Sequence, residues 1–140
     1  MSNPFTKLRS LFARSKKTEK RKIGDKGEEL CCKQLKKEGC TILARNYTGG
    51  GGELDIVVRE GNNLVVVEVK TRHYYPQSKY GSPADAVDAR KRRCILSATK
   101  SYRKSHSEFA AMPLRFDIME VLLFEDGKSE INRIKGAFHT

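Results

Sequence analysis

Apolar and polar positions divide the chain into seven elements. Between Asp25 and Gly39, the residues Leu30, Cys31, Cys32 and Leu35 share one side of a helical wheel, and Asp25 followed by Glu28 resembles a capping box. A first helix is therefore expected to open at Asp25 and stop at Gly39. Glu28 falls within the buried stripe, whereas Glu29 points away from it, placed to pair with Lys33 one turn on. Residues 41–46 read as a strand, as do 53–59 and 64–70. The last two are joined by Glu60-Gly61-Asn62-Asn63, whose Gly and Asn favour a hairpin. Unlike a half-exposed strand, Leu64-Val65-Val66-Val67 is apolar on both faces and must be covered on both. Ser82-Pro83-Ala84-Asp85 supplies an N-cap serine, proline at the first position and an acid two later, predicting a second helix. Residues 115–121 alternate as a strand, and Asp126-Gly127 turns the chain into a short last strand at 131–134. The order α-β-β-β-α-β-β describes one α/β domain with no internal repeat.

The hairpin carries the chemistry. Closing it by a four-residue loop or by a two-residue Gly61-Asn62 turn gives the same register, with Asp55 opposite Glu68 and Glu53 opposite Lys70. Opposed Cβ atoms lie roughly 5 Å apart, where two carboxylates repel by about 3 kcal/mol at an effective dielectric near 20. A divalent cation removes that repulsion, and Mg²⁺ accepts such oxygen ligands. Lys70 shares the face of Glu68, since alternate residues of a strand point the same way. It would there orient a water or stabilise developing negative charge. The alternative is a surface hairpin with a Glu53–Lys70 ion pair, which leaves the apolar lead-in unexplained.

Charge adds a partner class. Of a net charge of +11, residues 1–22 hold eight Lys or Arg against Glu19 alone. That is the pattern of an arm drawn to nucleic acid or anionic lipid, and equally of a solubilising tail. The expected organisation is a mobile basic tail over 1–22 and a single domain over 23–140. Phe5, Leu8, Leu11 and Phe12 would fall near one side of a basic helix there, the pattern of a surface-lying amphipathic segment. The cysteines Cys31, Cys32, Cys40 and Cys94 form no CxxC pair, which argues against zinc and fits a reduced, cytoplasmic setting. No apolar run reaches the roughly 20 residues of a membrane span. Gly49-Gly50-Gly51-Gly52 permits close backbone approach to a ligand, or a bulge, but lacks the context of a P-loop. The segment His73, Tyr74, Tyr75, Pro76, Lys79, Tyr80 offers aromatics that stack on unpaired bases or simply pack. The second helix carries Arg90, Lys91, Arg92, Arg93, Lys100, Arg103 and Lys104, a solvated face or a phosphate-contacting one.

A helix acid, Asp55, then Glu68-Val69-Lys70 and a basic helix resemble the PD-(D/E)xK nuclease arrangement. Gly27-Glu28-Glu29-Leu30, Leu43-Ala44-Arg45-Asn46-Tyr47, Gly52-Glu53-Leu54-Asp55, Val67-Glu68-Val69-Lys70-Thr71-Arg72, Gly81-Ser82-Pro83, Arg115-Phe116-Asp117 and Ala137-Phe138 stand in the order of the bacterial YraN family. The resemblance spans about residues 23–138 and implies a restriction-endonuclease-like mixed sheet flanked by helices, similar to Holliday-junction resolvases. It further implies that Asp55 and Glu68 bind Mg²⁺ or Mn²⁺, that Lys70 serves the attacking water and that Glu28 supports the metal. Arg72, Lys91, Arg92 and Tyr80 are the expected nucleic-acid contacts, and a homodimer is expected. Arg92 replaces a glutamine frequent in relatives, Leu54 replaces the proline of the superfamily name, and the tail lies outside the pattern. The expected function is metal-dependent hydrolysis of DNA, with branched or otherwise structured DNA as a candidate substrate. The alternative is a non-cleaving nucleic-acid-binding protein on the same fold. A third expectation is an assembly module at a membrane surface.

Overall fold

The computed structural model describes residues 4–77 and 81–139. Its order is α1 (Pro4–Lys37), β1 (Thr41–Gly49), β2 (Gly52–Glu60), β3 (Asn63–His73), a 3₁₀ turn (Pro83–Ala86), α2 (Ala89–Ser105), a second 3₁₀ turn (Ser107–Phe109), β4 (Leu114–Leu123) and β5 (Ser129–Phe138). The strands form one sheet in the order β1-β2-β3-β4-β5, with β3 and β4 parallel and every other pair antiparallel. Only the parallel pair needs a crossover, and α2 supplies it.

The first helix does not open at Asp25. It runs from Pro4 without a break, because a capping box starts a helix only where the preceding backbone is non-helical, and here good helix formers carry it through. Its end is as expected: Gly39 adopts φ +87°, its N–H donates to the Lys36 carbonyl, and Cys40 N–H donates to the Leu35 carbonyl. The second helix differs too. Ser82 and Asp85 do build their capping box, but on the short 3₁₀ turn; Asp88 then caps α2 by accepting from Lys91 N–H at 2.8 Å. The last strand is ten residues, since a partner along all of β4 rewards a longer one.

Cys31, Cys32 and Leu35 of α1 pack on one sheet face with Ile56, Val58, Val65, Val67, Met119 and Val121. Ile95, Ala98 and Tyr102 of α2 pack on the other with Leu54, Val57, Leu64, Val66, Phe116 and Ile118. The sheet is therefore the middle of three layers, which is why β3 and most of β4 are apolar on both faces. The glycine run serves this packing rather than a ligand. A Cβ on Gly52 would overlap the Cys94 carbonyl, and one on Gly50, at φ +59°, would come within 2.6 Å of the Ser97 carbonyl, so the β1–β2 turn lies directly on the α2 backbone.

Candidate functional site

The hairpin closes by the two-residue turn: Glu60 pairs with Asn63, and the expected register holds through Ile56 opposite Val67. Backbone pairing then stops one step short of Asp55 and Glu68. The Asp55 carboxylate, through Oδ2, accepts the Val69 N–H at 2.9 Å and so takes the place of the next ladder bond. Glu53 accordingly pairs with Thr48 of β1, and its expected position opposite Lys70 is not part of the ladder. Around Asp55 the alternation of β2 is broken: Leu54 and Val57 face α2, while Ile56 and Val58 face α1. Asn46, at φ +51°, stands in β1 between the residues that pair with Leu54 and Ile56, a conformation that asparagine tolerates. This irregularity aims Asp55 into the opening between the strands.

There the two carboxylates touch. Burial raises both above their ordinary values; the charge of Asp55 adds to the rise of Glu68, whereas the Val69 N–H and Lys91 work against that of Asp55. The hydrogen bond between them requires one proton, which belongs to the pair. Lys91 of α2 approaches Glu68 Oε1 with its Nζ at 3.1 Å. Glu28 enters from α1; burial and then Asp55 raise its pKa, and the Asn46 side chain hydrogen-bonds to it. Its Oε2 is buried with no hydrogen-bond partner, as is Thr71 Oγ1. Gly27 makes this approach feasible, because a Cβ there would overlap Thr71 Oγ1. Asp55, Glu68, Lys70, Glu28 and Lys91 all line one cleft of about 530 Å³ at the end of β3, together with Lys20 and His73.

Among the described residues no group of three His, Cys, Asp or Glu is gathered so as to hold a metal ion by itself. The donor set nonetheless suits Mg²⁺ or Mn²⁺. Mg²⁺ is commonly held by one or two carboxylates with waters completing its shell, and here two touching carboxylates and an orphaned glutamate oxygen share one cleft. Asp55 and Glu68 would hold such an ion directly, with Glu28 beside them.

The expected nucleic-acid residues do not come together. Lys91 is in the cleft. Arg92 donates to the Val87 carbonyl at 3.1 Å and lies over the Phe138 ring, 5.4 Å from its centroid. Arg72 is largely buried, 3.9 Å from Glu120. Tyr80 and Lys79 lie outside the described residues, as do the side chains of Phe5, Leu8, Leu11 and Phe12. Tyr74 packs on Phe124, with ring centroids 5.0 Å apart, and Tyr75 is the more exposed of the two. Arg90, Arg93, Lys100 and Lys104 form the solvent-facing basic positions of α2. Glu29 pairs with Arg45 at 3.0 Å, not with Lys33. Sequence reasoning misses Asn46 as a site residue; between Arg45 and Tyr47 it carries no local signal that sets it apart.

A three-layer α/β protein whose mixed sheet opens at one end onto an acid- and lysine-lined cleft is the class that fold and site define. Within it, residues 27–121 match the model of the uncharacterised protein family UPF0102, and the chain belongs to that family, also called YraN. It is similar to a UPF0102 protein of Syntrophomonas wolfei, 43% identical over 84% of this chain and 98% of that one. It is similar also to those of Solibacter usitatus, at 41% over 80% and 82%, and Pseudomonas aeruginosa, at 33% over 86% and 98%. No helix among the described residues is long and apolar enough to cross a membrane.

Proposed function

We propose that the protein is a metal-dependent nuclease that hydrolyses phosphodiester bonds in DNA. The observation that carries this is the convergence of Asp55 and Glu68, held in contact by the break in β2, on a cleft that also receives Lys70 and Glu28. A bound divalent cation supplies polarisation of the phosphoryl oxygen and charge neutralisation there. Lys70, exposed at the rim two residues beyond Glu68, orients the attacking water or stabilises the charge that develops on the phosphoryl group. Glu28 fixes the cleft's acidic wall from α1. The basic positions of α2 and of residues 1–22 supply the sequence-independent attraction for phosphates.

The test is incubation with labelled linear, flap and four-way-junction DNA in Mg²⁺ or Mn²⁺. Wild-type protein should give metal-dependent products, and Asp55→Asn or Lys70→Ala should lower the rate by at least about a hundredfold. Cleavage that persists in both variants removes the cleft from the chemistry. Salt-sensitive binding without products, unchanged in Asp55→Asn, favours a non-cleaving binding protein.

A further inference from the structure

Lys91 has no part in the chemistry assigned above, yet it enters the centre of the cleft. Its Nζ lies 3.1 Å from Glu68 Oε1, and Glu68 keeps only 12% of its side chain exposed. The backbone at Lys91 is fixed, because its N–H is the donor to the capping Asp88 carboxylate in the first turn of α2. The ammonium is not fixed in the same way: 47% of the Lys91 side chain is exposed, and a flexible four-carbon stem separates the tip from the anchored backbone.

We propose that Lys91 is a placeholder cation that occupies the metal side of Glu68 and, on release, becomes a phosphate-binding group of the same cleft. The inference rests on the metal-dependent reading of the site. Two touching carboxylates in a half-closed cleft need positive charge nearby, and in this structure Lys91 is the basic group paired with Glu68. A divalent cation on Asp55 and Glu68 supplies that charge instead and repels the ammonium, which swings on its stem into the open cleft. A phosphodiester drawn to the same cation then meets a lysine on the α2 side, facing Lys70 on the β3 side. The exchange costs the pair of an acid and a half-exposed lysine, so Lys91 sets metal affinity and substrate affinity in opposite directions.

The experiment titrates Mn²⁺ into the full chain by calorimetry, for wild type, Lys91→Met, which keeps the stem and drops the charge, Lys91→Arg and Asp55→Asn. DNA binding is measured alongside in EDTA and in Ca²⁺. Wild type should bind Mn²⁺ and Asp55→Asn should not. Lys91→Met should bind Mn²⁺ roughly fivefold tighter, as expected for removing a pair of this exposure, and Lys91→Arg should stay close to wild type. Lys91→Met should weaken DNA binding several-fold in Ca²⁺ and much less in EDTA. Equal or weaker Mn²⁺ binding by Lys91→Met, or the same drop in DNA affinity in both media, overturns the placeholder role and leaves the metal site standing. Absence of Asp55-dependent Mn²⁺ binding in wild type overturns the site and the inference together.

Discussion

At the scale of single residues, the acids separate into two groups with opposite linkage to pH. Glu68 is raised from its ordinary 4.5 by burial and by Asp55, so its contribution to stability is full below the ordinary carboxylate range and is lost as pH rises through the raised value. Metal-free protein should therefore lose stability from about pH 5 upward on this account. Mg²⁺ should restore it, and Asp55→Asn should flatten the profile and raise stability near pH 8 by about 1–2 kcal/mol. Thermal melts across that range, in EDTA and in Mg²⁺, check all three. Glu60 behaves the other way. Arg115 and Arg133 hold it down at about 2, so what it contributes is present above 4.5 and is lost as pH falls toward 2. The guanidinium groups that set Glu60 apart come from strands more than fifty residues away in the chain. The Cys31 thiol is quiet: burial pushes it up to about 12, in keeping with a small apolar role.

At the scale of elements, two close approaches position the cleft. Gly27 lets α1 settle against Thr71, and this seats Glu28 beside Asp55. Gly27→Ala should cost about 1–3 kcal/mol, as overpacking does. Thr71 Oγ1 is buried without a partner, so Thr71→Ala should be nearly neutral alone and should recover much of that cost in the double variant; chemical denaturation of the four proteins tests the cycle. Away from the cleft, Asp117 is fully buried and bonded by Arg115, Arg133 and the Gly136 N–H. Arg133, itself 7% exposed, also reaches Glu60 at 2.9 Å and Glu38. Arg133→Met removes the cation that serves three acids and should destabilise by about 3–5 kcal/mol, read by urea unfolding, without changing Mn²⁺ binding in the cleft. Nothing local in the sequence signals this network: Arg115-Phe116-Asp117 is a motif without a role until β5 brings Arg133 across it.

At the scale of the whole molecule, α1 outlasts the sheet it covers. Its 34 residues extend about 50 Å, and the family match begins only at Gly27, opposite the end of β3. Lys20, Ile23 and Gly24 still line the cleft, so the basic segment leaves the domain at the cleft mouth. DNA binding should weaken linearly with log salt, and a chain beginning at Ile23 should show a slope smaller by about 0.9 for each phosphate that the segment neutralises. A slope unchanged by the deletion would place all of the phosphate binding on the domain.

The order of elements and the hairpin register from Glu60 opposite Asn63 to Ile56 opposite Val67 follow from the sequence alone, because periodicity and turn chemistry are local. The start of α1 escapes it, since a cap signal is read only against the backbone that precedes it. Tertiary structure alone decided that Asp55 would bond to Val69 instead of facing Glu68 across a ladder, that Arg92 would be occupied and Lys91 drawn onto Glu68. The first depends on the irregular pairing of β1 with β2 around Asn46, and the other two on where α2 lies on the sheet, which is set by packing between residues far apart in the chain.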